Sequence, residues 1–238
     1  MFSPSFAVQS LLAVLLISTA ISPAQPEQVR IPACFYAFDY ATGHETVFCM
    51  TNAGEESEII LSRANIVGPI HTVMTDGVIQ LHAHGEPDAN GEPTRIPVAS
   101  ARVPNGIDRA LIVLLPNAPD APTPYRAIAF DHNHRAFPLG TYRILNLSAF
   151  PVRGAIGSQR VAVQPGQKAD LALRGQPGSV VPVRFEYFEN ESWALLTETR
   201  SAVREDRRWL LCLYRDPANG RFNMRSIPDR TLPPQSGN

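Results

Sequence analysis

The chain has 238 residues, with 21 basic and 22 acidic side chains and a formal net charge of −1. A balance that close to neutral argues against a nucleic-acid binder and against a polybasic membrane anchor. The 22 prolines sit in scattered turn-like clusters with no period, which excludes a collagen-like or low-complexity chain.

Ala7 to Ile21 is a continuous apolar run centred on Leu11-Leu12-Ala13-Val14-Leu15-Leu16-Ile17. Small residues follow, with Ser22 and Ala24 at the −3 and −1 positions of a cleavage site. The pattern predicts a signal peptide over residues 1–24, although Met1 to Phe6 carries no Lys or Arg. The run is shorter than the about 20 residues a membrane span needs, and no second run of that length follows. The expected mature protein is therefore periplasmic or secreted, without a transmembrane span; an uncleaved N-terminal anchor is the alternative.

Three cysteines remain, an odd number for an exported chain. A hairpin turning near Thr42 would set Cys34 opposite Cys49, and a disulfide between them is the expected pairing. Closing that loop would stabilise the fold by about 3 kcal/mol in the chain-entropy view. Cys49 with Cys212 is the other pairing left open. Cys212 lies in the apolar run Trp-Leu-Leu-Cys-Leu-Tyr, where a free thiol packs as a small hydrophobe.

Short apolar or alternating runs predict strands at 34–40, 58–61, 78–84, 109–115 and 125–131. Further on, Val161 and Val163 alternate with Arg160, Ala162 and Gln164. Ala169, Leu171 and Leu173 alternate with Lys168, Asp170 and Ala172. Each run has one buried and one wet face, and Pro165-Gly166 between them is a turn. Residues 181–188 turn through 189–192 into 193–199, and 209–214 turn through Asp216 to Gly220 into 221–227. No stretch holds a helical period beyond two turns. The chain is read as all-β, with two antiparallel β-sandwich (Ig-like) units at 25–136 and 137–230 after the signal peptide, and a disordered tail over 231–238.

The run Phe137-Pro138-Leu139-Gly140-Thr141-Tyr142-Arg143 is followed by Asn146-Leu147-Ser148, Pro151-Val152 and Pro165-Gly166. With Trp193 and the stretch from Arg207-Arg208 to Tyr214, it resembles a group of exported bacterial β-sandwich proteins of unassigned function. The resemblance covers the C-terminal half and rests on strand and turn residues. It implies a periplasmic or secreted β-protein and transfers no activity or site.

The sharpest local chemistry is two His-x-His pairs, His82 with His84 and His132 with His134. On a strand, positions i and i+2 share a face, so each pair could present two imidazoles to one Zn²⁺ or Cu²⁺ ion. Against this, His82 and His84 share parity with Gln80, opposite Ile79 and Leu81, which places them on a wet face. His132 and His134 follow the expected end of their strand. The loop with Glu86, Asp88, Asn90 and Glu92 reads as a solvated turn rather than a Ca²⁺ loop. Trp193, Trp209 and Tyr187 could form a platform for a sugar ring, though core packing is the ordinary use of such residues. No nucleophile elbow, phosphate loop or His-Glu-x-x-His motif occurs. The expectation is an exported, non-catalytic β-protein of the cell envelope, binding an envelope protein or glycan and no nucleic acid. It needs no cofactor in that reading; the alternatives are a metal-binding protein or metal enzyme built on the His pairs, and a carbohydrate-binding module.

Overall fold

The computed structural model describes residues 27–52, 54–172, 176–216 and 219–231. The signal peptide expected at 1–24, the tail beyond Thr231 and Leu173 lie outside them.

Every regular element among the described residues is a strand. Gln28–Ala37 (β1), Thr46–Asn52 (β2), Glu55–Ile60 (β3), Val67–Thr75 (β4), Val78–Pro87 (β5), Pro93–Arg102 (β6), Ala110–Pro116 (β7) and Tyr125–Asp131 (β8) form one sheet. Its order is β3-β2-β5-β4-β1-β7-β8, with β6 paired to β5. The rest of the chain forms two four-stranded sheets from Thr141–Asn146 (β9), Val152–Ile156 (β10), Gln159–Val163 (β11), Lys168–Ala172 (β12), Val180–Glu189 (β13), Ser192–Ala202 (β14), Arg208–Arg215 (β15) and Phe222–Asp229 (β16). One has the order β11-β10-β13-β14 and the other β12-β9-β15-β16. The chain is all-β and of the β-sandwich class. No helix among the described residues is long and apolar enough to cross a membrane.

The apolar pattern explains the layering. Phe35 and Ala37 of β1, with Ile112 and Leu114 of β7, enter a core shared with Val47, Ile59, Ile79 and Leu81. Their neighbours Cys34, Tyr36, Leu111 and Val113 point the other way, against Leu145, Leu210, Cys212 and Ile227 of the β9-β15-β16 layer. A strand covered on both faces reads as a continuous apolar run, and Ala110 to Leu114 is such a run. A third core, with Ile144, Val152, Val163, Leu171 and Phe185, lies between the two four-stranded sheets.

In the first sheet, three strands escape a reading by alternation. Strand β2 pairs with β5 over only two residue positions. Strands β4 and β6 carry Pro69, Pro93 and Pro97, and proline demotes a segment as a strand because it donates no ladder bond. The Pro165-Gly166 turn forms as expected, but it is a crossing rather than a hairpin. Strand β11 pairs with β10, and β12 pairs with β9 in the facing sheet.

The expected Cys34–Cys49 disulfide is absent, and Cys34, Cys49 and Cys212 are all buried free thiols. Cys34 is on β1 and Cys49 on β2, and β4 and β5 lie between those strands. The two side chains also enter different cores. The segment between them is a crossover within the sheet, not a hairpin. The same separation of cores keeps Cys49 from Cys212. Burial pushes the Cys34 thiol up to about 11 and the Cys212 thiol up to about 12, so both stay protonated and pack as hydrophobes.

Charges seal the seam between the β1–β8 sheet and the layer beneath it. Phe137 is fully buried, with the guanidinium of Arg143 4.3 Å and that of Arg208 4.7 Å from its ring centre. Arg143 donates to both carboxylate oxygens of Asp170 at 2.7 Å. Arg208 Nε donates to Asp229 Oδ2 at 2.5 Å, with both side chains wholly buried.

Candidate metal centre

Four strands bring Glu56, His82, His84 and Arg95 together on the face of the first sheet that lies opposite its core. Along β2, Val47 and Cys49 enter the core, so Phe48 projects from the other face. Strand β3 pairs with β2 through Phe48–Glu58 and Met50–Glu56, and β5 pairs with β2 through Phe48–His82. Strand β6 adds Arg95 directly across from His84. Glu56 therefore reaches the histidines over the strand between them.

The geometry is close. Glu56 Oε2 stands 2.8 Å from His84 Nε2 and 3.2 Å from His82 Nε2. One ligand atom from each of the three residues lies within 4.8 Å of the others, and no other set of three or more His, Cys, Asp or Glu does so among the described residues. The His84 ring stacks on Phe48 at 3.8 Å and 11°, and His82 stacks on the same ring at 6.0 Å. Arg95 Nε donates to the other carboxylate oxygen, Glu56 Oε1. That contact orients the carboxylate and leaves Oε2 facing both imidazoles, as outer-shell partners of metal ligands do.

His82 departs from the wet-face expectation. Its side chain is 7% exposed although it shares the outer face with His84, because Phe48 on the neighbouring strand covers the ring. Parity along β5 holds, with Leu81 and Ala83 turned to the core and His82 and His84 to the opposite face; that face is wet at His84 and covered at His82. Its Nε2 is buried without a hydrogen bond of good geometry, aimed at Glu56. The carboxylate stands 3.2 Å away, and a metal ion held between the two would give the nitrogen a well-directed partner.

Glu56 is the member that sequence reasoning missed. Burial alone would raise its carboxyl, but contacts from His84, Arg95 and His82 outweigh burial and hold it down to about 2. It is anionic at any ordinary pH. Glu56 is one of several acids in Glu55-Glu56-Ser57-Glu58, and only the strand pairing distinguishes it.

The second pair is used otherwise. His132 is fully buried directly after β8, with Nε2 2.6 Å from Asp229 Oδ2 and 2.8 Å from Arg208 Nη2. It belongs to the seam rather than to the Glu56 group. His134 is half-buried in the segment leading to β9 and is also outside that group. The aromatic trio does not gather either. Trp209 stacks on Tyr142 and Tyr187 on Phe222, both against the third core, whereas Trp193 stands half-exposed beside Phe188. In the acidic loop, Asp88 Oδ1 accepts from the backbone of Asn90 and Glu92, a self-satisfied turn.

Two imidazoles and one carboxylate form a borderline-soft donor set that suits Zn²⁺ or Cu²⁺ and not Ca²⁺ or Mg²⁺. Comparison with protein-family models and with the curated proteins finds no match to the chain.

Proposed function

We propose that this chain is an exported all-β binding protein of the cell envelope that holds a divalent transition metal, Zn²⁺ or Cu²⁺, through Glu56, His82 and His84. Export rests on the apolar leader and the Ser22/Ala24 cleavage pattern. Metal binding rests on one observation: two imidazole nitrogens, one of them buried, converge on a single carboxylate oxygen.

Tetrahedral ligands about 2.05 Å from zinc stand about 3.3 Å apart. The separations of 2.8 and 3.2 Å from Glu56 Oε2 need open by only a few tenths of an ångström to admit the ion. His84 is 37% exposed, so the ion would enter from its side, and three protein ligands leave a fourth position for water or a partner's donor group.

The test is metal stoichiometry of protein prepared without a histidine tag and equilibrated with Zn²⁺. About one ion per chain is expected, lost in the Glu56→Gln/His84→Ala double variant and kept in His134→Ala. Absence of bound zinc in the wild type, or full retention in the double variant, would sink the reading.

A further inference from the structure

The outer face of the β11-β10-β13-β14 sheet carries a second site. On that face Ala155 of β10 sits between Arg160 of β11 and Arg184 of β13, and the next row runs Ala162, Arg153, Glu186. Two alanines among long side chains leave a shallow open cleft of about 650 Å³, walled by Arg153, Arg160 and Arg184. Three guanidinium groups face it against the single carboxylate of Glu186. Arg153 and Arg184 both pair with that carboxylate, and Arg184 also pairs with Glu198. The Arg160 side chain has no hydrogen bond or ion pair among the described residues. At one end Arg153 lies 4.1 Å over the ring of Trp193. Trp193, Phe188 and Leu195 form an exposed apolar shelf there.

We propose that this cleft binds an acidic polysaccharide through its carboxylates. The planar guanidinium fork matches a carboxylate in two parallel hydrogen bonds, and Arg160 is free to make them. Pairs with Glu186 and Glu198 hold Arg153 and Arg184 in place beside Ala155. Arg160 and Arg184 are two strand spacings apart, about 10 Å, so an extended polyanion engages both where a single small anion engages one. The Trp193 shelf beside the charges supplies an apolar surface for the carbon face of a sugar ring, which an acidic peptide or an isolated phosphate does not fill. The site is in a different sheet from Glu56, His82 and His84 and stands independently of the metal reading.

The experiment is calorimetric titration of the full-length chain with a galacturonic acid oligomer at physiological salt. Its controls are a neutral galactose oligomer of the same length, poly-glutamate of the same charge, inorganic phosphate, and phosphatidylglycerol vesicles. The uronate oligomer is expected to bind, and Arg160→Ala and Trp193→Ala each to weaken it about tenfold while zinc stoichiometry is unchanged. No binding of the uronate oligomer would overturn the proposal. So would unchanged affinity in Arg160→Ala, equal affinity for the neutral oligomer, poly-glutamate or phosphate, or capture by the vesicles in preference to the sugar.

Discussion

Glu56 and His82 are on strands that do not pair, yet Oε2 of one stands 3.2 Å from Nε2 of the other across the intervening β2. Phe48 of that middle strand makes the arrangement stiff, because both imidazoles stack on its ring. Removing the ring frees His84 to rotate away from the carboxylate while leaving all three ligands in place. Phe48→Ala is expected to lower zinc affinity about tenfold, read by competition with a coloured chelator. An unchanged affinity would show that the stack does not position His84.

The thiols give a test that needs no mutation. Cys34, Cys49 and Cys212 are fully buried and unpaired. A thiol-reactive dye should label none of them in the native protein. After denaturation without reductant it should label all three. One thiol in place of three would restore a disulfide.

Arg208 is the counter-charge of a wholly buried carboxylate. Truncating it leaves Asp229 uncompensated in the seam, and loss of one partner of a buried pair costs about 3–5 kcal/mol. Arg208→Ala should lower the urea midpoint accordingly, whereas Arg63→Ala, which breaks an exposed, solvent-screened pair with Asp39, should leave the midpoint close to wild type.

His132 makes the seam sensitive to acid. Burial pushes its imidazole down to about 4, against the upward pull of the Asp229 hydrogen bond, and the nearby Arg208 and Arg109 push the same way as burial. The unfolded chain takes up this proton near pH 6.5 and the native one only near 4. Between those values the unfolded state binds more protons, so stability falls as the pH drops from about 6.5 to 4. Asp229 is held far below the carboxylate range by His132 and Arg208, which overcome the effect of burial. Its contribution is intact above about pH 4 and is lost only below. His132→Gln cannot take the proton, and its urea midpoint should vary less with pH across that window than the wild type's.

The third core offers a face test. Val163 is 2% exposed between the two four-stranded sheets, and Val163→Asp buries an unpaired charge there. It should destabilise by more than about 3 kcal/mol. Lys168 is exposed on β12, 3.8 Å from Asp170, and Lys168→Ala should stay within about 0.5 kcal/mol of wild type. Thermal melts of the two variants decide it, and equal losses would reverse the face assignment.

The two-residue rhythm of Val161 to Val163 and of Ala169 to Leu171, the apolar run Ala110 to Leu114 and the turn at Pro165-Gly166 were enough for the all-β class and for most strands. Each is a property of neighbours in sequence, because alternation and proline or glycine punctuation act over a few residues. What β1 pairs with was not local. Its partners are β4 and β7, so Cys34 and Cys49 part company and the disulfide fails. The site followed the same division. His82 and His84 stood out by spacing, but Glu56 joined them only because β3 and β5 flank β2, and His82 was buried only because the Phe48 ring of that middle strand covered it. Contacts between strands distant in the chain are chosen by the packing of whole layers, and no residue carries that choice in its own neighbourhood.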